Sequence, residues 1–191
     1  VQAYWLGEAG SKTSSKPQFR EIDLKLRKLI GLCYATDELL QDSAALGSII
    51  MDAFADEFSW MVDDAIYNGL GANQPLGFMA SGALVSVAKE VGQAAATIVT
   101  ENIHKMYSRR LGPAANYVWL INQDIEPQLY ELALSVGTGG MPVYMPPGGL
   151  SDAPYGRLMG LPVLANEHSA TLGTVGDIVL ADLSQYVLID K

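Results

Sequence analysis

The residues whose types and spacing could do chemistry gather first in N-G-L-G-A-N-Q-P-L-G-F-M, residues 68–79. Gly69, Gly71, Pro75 and Gly77 make a G-x-G-x-x-x-P-x-G spacing, which raises the question of a phosphate cradle. A cradle needs its glycines between a strand and a helix N-terminus, where free N–H groups meet the anion. These glycines instead follow a helix-like segment, so they meet the negative end of a helix dipole, and no lysine lies in the loop. The stretch reads as a structural corner.

A second candidate is acidic: Asp37, Glu38, Asp42, Asp52, Asp56, Glu57, Asp63 and Asp64. These types would suit glycosidase carboxylates or a Mg²⁺ site. Most fall on the side of a helix opposite its apolar stripe, which is the pattern of a solvated or interface-facing surface. His104 and His168, the two histidines, stand far apart without an H-x-x-x-H or H-x-x-E-H frame, which argues against zinc. His104 reads as a surface helix residue. Cys33, the single cysteine, sits in the apolar G-L-C-Y-A and reads as a buried, inert thiol with no base nearby. No G-x-S-x-G elbow is present, and Trp5, Trp60 and Trp119 are too scattered to form a base-stacking strip. No catalytic constellation emerges, and no cofactor or metal is expected. Function then falls to surfaces, beginning with contacts between copies of the chain.

The chain that must position these residues has 191 of them, enough for one sizeable domain or two small ones with a proper core. One cysteine excludes an intrachain disulfide framework. A net charge of -9 with 12 basic residues disfavours a reader of nucleic acid, though not a container that surrounds it. Apolar runs fall short of a membrane span and residues 1–10 are no signal segment, so a soluble protein is expected. The first residue is not Met and the last segment stops just after a strand-like run. The expectation is a fragment trimmed at both ends.

F-R-E-I-D-L-K-L-R-K-L-I-G-L-C-Y-A-T, from Phe19, alternates apolar and charged residues as a strand with one wet face does. Lysine and arginine are then absent from residues 29–88. Asp42 or Ser43 caps the longest helix. Within it Leu46, Ile50, Ala53, Phe54, Phe58, Met61 and Ala65 recur at three or four residues, with Asp52, Asp56, Ser59 and Asp63 opposite. A helix over residues 43–67 would be roughly 38 Å long at 1.5 Å per residue. Asn68 and Gly69 end it. A short apolar run covers 83–88, and a helix covers 101–111, stopped by Gly112 and Pro113. Y-V-W-L-I, residues 117–121, is a buried strand, and a second helix runs from 123 through 133 with Pro127 in its first turn. Residues 135–152 read as a long loop. Strands follow at 157–164, 176–183 and 185–190. One half is a helix laid on a sheet, the other a mixed α/β body.

Six segments in this order resemble the major capsid proteins of tailed double-stranded DNA phages, the family with the HK97-like fold. A long helix followed by the Gly69, Gly71, Pro75, Gly77 corner resembles the family's corner motif. A-Y-W-L-G-E, with Trp5 and Glu8, resembles the returning strand of its extended loop. D-E-L-L-Q-D-S, with Asp42, resembles its approach to the spine helix. Y-V-W-L-I-N, with Trp119 and Asn122, resembles its central strand. L-M-G-L-P-V, with Gly160 and Pro162, and G-D-I-V-L-A-D-L-S-Q-Y, with Asp177 and Asp182, resemble its late segments.

The resemblance implies an α+β, HK97-like capsid fold, with a long spine helix packed on a sheet and a mixed α/β axial domain. It implies a partial returning strand over 1–21 and a peripheral domain over 22–78 with the spine helix at about 43–67. The axial domain would cover 79–180, and 181–191 would return toward the peripheral domain. The loop at 137–157 is a candidate for contacts at symmetry axes. Copies would form pentamers and hexamers of a closed shell that encloses DNA without sequence-specific binding. Scaffold, protease and portal proteins would be partners, and no membrane. The place would be the virion capsid, with assembly in host cytoplasm or as a prophage product. No crosslinking trio can be placed, and Glu8 is not read as catalytic.

Three other readings stand beside it: a cellular nanocompartment shell, a small α/β enzyme with a polar pocket, and a prophage remnant that folds without assembling. Two expectations follow from the shell reading. Its inner face carries net negative potential. Gly69 is the most sensitive corner glycine, for a reason that requires positive φ there.

Overall fold

The computed structural model describes residues 3–8, 10, 11, 14–19, 21, 23–34, 36, 46–113, 116–136, 139–142 and 156–189. The expected helix cap at Asp42 or Ser43, the carboxylates Asp37 and Glu38, and most of the loop 137–157 lie outside them.

The amphipathic period produces one unbroken helix, α1 (Leu46–Asn68), of 23 residues and so about 35 Å long. Its apolar stripe is half-buried at Leu46, Ile50, Phe54, Phe58 and Ala65, while Asp52, Asp56, Ser59 and Asp63 are exposed. Phe54 and Phe58 stack with ring centroids 5.8 Å apart, and Gly31 of the preceding segment lies against both rings. Only Tyr67, in the last turn, is fully buried.

A short 3₁₀ turn, Phe78–Ala80, follows the glycine corner. Helix α2 (Thr100–Ser108) comes next, then strand β1 (Tyr117–Asn122). A 3₁₀ turn at Gln123–Ile125 leads into α3 (Glu126–Glu131), with Pro127 in its first turn as expected. Strands β2 (Ala133–Val136) and β3 (Gly139–Pro142) pair as an antiparallel hairpin. Then come β4 (Arg157–Leu158), β5 (Leu161–Asn166) and β6 (Ile178–Asp182). The main sheet has the order β4-β5-β1-β6, with β1 parallel to β5 and antiparallel to β6.

The central strand explains why Y-V-W-L-I is apolar throughout. A strand's side chains alternate between faces, and both faces here are covered. Tyr117, Trp119 and Ile121 point into the main core with Ile103 of α2, Leu129 of α3, and Leu161 and Val163 of β5. Val118 and Leu120 point the other way, to Tyr67, Val179, Phe78 and Met79. The last turn of α1 and the corner after it thus form a layer on the sheet face opposite α2 and α3. Trp119 has no exposed surface, and its indole Nε1 donates to the Leu158 carbonyl at 3.0 Å.

Five expectations are corrected. The alternating stretch from Phe19 forms no strand in its described residues. Its pattern is right for a pleated surface, but no described strand lies beside it to receive its N–H and C=O groups. Residues 185–189 form no strand either, for the same reason: 185 closes a 3₁₀ turn and 186–189 are irregular. The second helix stops at Glu131, because Leu132 is extended and Ala133 already pairs with Pro142. That same hairpin replaces part of the long loop expected from 135 onward; glycines permit a ladder as readily as a loop when a partner strand is adjacent. Cys33 is exposed, not buried, because the segment that carries it lies on the surface with Leu32 and Tyr34 also exposed.

Candidate functional site

The corner after α1 is built by backbone, not side chains. Gly69 N–H donates to the Ala65 carbonyl at 3.0 Å and finishes the helix. Gly71 N–H donates to the Pro75 carbonyl at 3.2 Å, and Gly77 N–H donates to the Gly69 carbonyl at 2.7 Å. Leu70 and Leu76 form an isolated antiparallel bridge, so residues 69–77 fold back on themselves as a closed loop. Gly71 (φ 77°) and Asn73 (φ 61°) make the reversal in the left-handed region.

The three glycines are required for different reasons, which corrects the expectation for Gly69. Only Gly71 has positive φ. A Cβ on Gly69 would press on the carbonyl oxygens of Ala65 and Pro75, closer than real Cβ contacts come. A Cβ on Gly77 would lie 2.5 Å from Gly69 N and from the Tyr67 carbonyl oxygen. Two passes of main chain touch there, and neither has a flexible side chain to move.

Beneath the corner a polar network fastens α1 to the sheet. Tyr67 Oη lies 2.8 Å from Ser169 Oγ. The Ser169 hydroxyl donates to Asn166 Oδ1 at 2.9 Å, and Ser169 N–H donates to the same oxygen at 2.8 Å. Either hydroxyl can be the donor between Tyr67 and Ser169, and Tyr67 Oη also donates to the Gly176 carbonyl at 3.4 Å. Asn122 Nδ2 closes the network by donating to the Ser169 carbonyl at 2.8 Å. Burial raises the Tyr67 phenol above its ordinary 10.0; the Ser169 hydrogen bond opposes this, and the nearby Asp177 carboxylate adds to it. Phe78 packs edge-on against the Tyr67 ring, centroids 4.5 Å apart.

A second contact begins two turns back. Trp60 and His168 rings approach to 4.2 Å. Asn68 Nδ2 donates to Asp64 Oδ1 at 2.9 Å and to the His168 carbonyl at 3.1 Å. His168 Nδ1 is 3.7 Å from Asp64 Oδ1. Tyr186, whose phenol burial also raises, donates to the Leu76 carbonyl at 3.0 Å and straps the corner from the far end of the chain.

Of the residues singled out in the sequence, the structure gathers Gly69, Gly71, Pro75, Gly77 and Asn122 at or beside this joint. Asp177 accepts from Gly173 N–H and Ile178 N–H ahead of β6, and Asp182 caps the 3₁₀ turn after it by accepting from Ser184. Gly160 (φ 80°) turns β4 into β5, where Pro162 is exposed. Trp5 and Glu8 are exposed, away from any described partner element, and Asp42 lies outside the described residues. Sequence reasoning missed Tyr67, Asn166, Ser169 and Trp60. Asn166 and Ser169 were readable as a local Asn-x-x-Ser hydrogen-bonding turn; their pairing with a tyrosine 102 residues away was not.

Among the described residues no group of three or more His, Cys, Asp or Glu could hold a metal, and no helix is long and apolar enough to cross a membrane. One open groove of about 1790 Å³ runs between residues 23–29, α1, residues 83–89 and β6. Its lining is mainly apolar, including Leu24, Leu26, Met61, Leu76, Val85 and Leu188, and charged residues including Lys25, Arg27, Lys28, Asp177 and Asp182 also border it.

The fold is thus a long helix with its C-terminal end packed on an α+β body. The profile of the phage capsid family matches residues 1–191, so the chain belongs to that family, whose members serve as structural proteins and not as enzymes. Two solved structures share the fold. One is the capsid of a native GTA particle computed with C5 symmetry, with a TM-score of 0.71 and 22% identity over 95% of this chain. The other is the capsid of an empty GTA particle computed with C5 symmetry, with a TM-score of 0.59 and 21% identity over 78% of this chain. The chain spans 64% and 53% of those chains' lengths. No match is found among curated proteins.

Proposed function

We infer that the chain is the tile of an icosahedral phage or prophage shell, associating as pentamers and hexamers around double-stranded DNA. In this reading residues 22–78 are a peripheral domain built on α1 and residues 79–180 an axial domain that meets its copies around symmetry axes. Residues 181–191 lead back toward the periphery. The glycine-rich loop 137–157 supplies contacts at the axes. Scaffold, protease and portal proteins would be its assembly partners, and host cytoplasm or the virion its place.

The observation that carries the reading is the joint. A shell fixes the angle between neighbouring tiles, so each tile must hold its own lobes at a fixed angle. Here a backbone-closed corner and a buried hydrogen-bond network lock the C-terminal end of α1 against the sheet. The rest of α1 keeps Ile49, Met51, Trp60, Met61 and Val62 substantially exposed, as a rod meant for neighbours would. The family match supports a phage shell over a compartment that holds enzyme cargo. Electron microscopy of the full-length gene product tests this: closed shells built of pentameric and hexameric units are expected. Monomers or small discrete oligomers under all assembly conditions would overturn it.

A further inference from the structure

We propose that the outer face of α1, striped by Asp52, Asp56 and Asp63, is the docking surface for the basic segment Lys25, Arg27 and Lys28 of a second copy of this chain. The assignment rests on the shell-subunit reading and names one contact within it.

The helix states the need. Its 23 residues carry Asp52, Asp56, Glu57, Asp63 and Asp64 and no lysine or arginine. Asp52 and Asp56 are one turn apart on the same face, where like charges oppose helix formation. Asp63 and Asp64 lie near the C-terminal end, where the dipole is already negative and where no basic residue answers it. Among the described residues the ion pairs are Lys25 with Asp23, Lys105 with Glu90, and His168 with Asp64. None reaches the stripe.

The chain also states the supply. Its densest basic run is D-L-K-L-R-K, residues 23–28, exposed at Lys25, Arg27 and Lys28 and flanked by exposed Leu24 and Leu26. Within its own chain this run faces the wrong flank of α1: residues 23–29 share the groove with Met61 and Ala65, which belong to the apolar stripe opposite the carboxylates. A second copy has no such restriction. The spacings agree. Carboxylates four residues apart on a helix stand about 6 Å apart along its axis. Cations two residues apart on an extended chain stand about 6.6 Å apart. With a net charge of -9, copies repel one another, so a contact between them gains most where one copy's cations meet the other's unanswered carboxylates.

The test is charge reversal with mixing, on the full-length gene product. Assembly is followed by light scattering at about 50 mM and about 500 mM salt. Asp56→Lys and Arg27→Glu are each expected to weaken association two- to fivefold or more per contact at low salt, with smaller differences at high salt. Circular dichroism checks that each exposed substitution leaves the monomer folded. The two variants mixed in equal amounts are expected to recover assembly. The Asp56→Lys chain keeps its Arg27, which meets the intact Asp56 of the Arg27→Glu chain, and the introduced lysine of the first meets the introduced glutamate of the second. Recovery in the double variant alone but not in the mixture would place the pairing within one chain and overturn the proposal. Unimpaired single variants would overturn it too. A wild-type chain that never associates would bring down the shell reading itself, a distinguishable result.

Discussion

Replacing Gly69 with alanine is the sharpest test of how the corner works. Its new methyl would press on two backbone carbonyl oxygens, those of Ala65 and Pro75, and neither can swing away. To make room the chain must loosen the Gly69 to Ala65 hydrogen bond that ends α1 or the Gly77 to Gly69 bond that closes the loop, now 3.0 and 2.7 Å. Overpacking costs about 1–3 kcal/mol, and a weakened hydrogen bond adds about 0.5–1.5 kcal/mol. A total near 2–4 kcal/mol is a large part of a domain's usual ~5–15 kcal/mol, and lowers Tm by roughly 5–15 °C for a chain of this size. Gly71→Ala meets a different obstacle, a φ of 77° with the Leu76 side chain 3.2 Å from the new Cβ. Its cost should be about 1–2 kcal/mol. Gly47, inside α1 with nothing within 4 Å, is the control: alanine there should stabilise by about 0.5–1 kcal/mol. Urea unfolding followed by tryptophan fluorescence and circular dichroism measures all three. Gly69→Ala within about 0.5 kcal/mol of wild type, or less damaging than Gly71→Ala, would refute a corner held by close backbone approach.

The network beneath the corner makes its own predictions. Asn166→Ala removes the oxygen that accepts both Ser169 N–H and Ser169 hydroxyl, and should cost about 2–3 kcal/mol in urea unfolding, more than Tyr67→Phe at about 1 kcal/mol. The stability that the neutral, buried Tyr67 contributes is fully present below the unfolded phenol's 10.0 and is lost as pH rises from there through its higher folded value. Unfolding scans from neutral to strongly alkaline pH should show that loss, shallower in Tyr67→Phe; Tyr186, also raised by burial, leaves a remainder. A reconstructed shell should show a net negative inner wall, and a positively charged concave face would contradict that.

How legible was all this beforehand? The 3.6-residue period of α1, the G-x-G-x-x-x-P-x-G corner and the apolar Y-V-W-L-I strand follow from rules that act over a few residues, so their positions were readable to within a few residues. The alternating stretch from Phe19 obeyed the same rules and still formed no strand in its described residues, because a ladder needs a partner that no local pattern supplies. Cys33 failed likewise: an apolar neighbourhood in sequence is burial only if something packs over it.

By itself the sequence determined an acidic chain with an amphipathic rod, a glycine bend after it and a doubly covered strand, and its ordered motifs pointed to the family. The tertiary structure alone decided why the bend is rigid. Gly69 and Gly77 are held by touching main chain, not by their own φ, and Tyr67 reaches Ser169 across 102 residues. Contacts between distant segments have no signature in local spacing, because their energy exists only once the chain has brought both ends together.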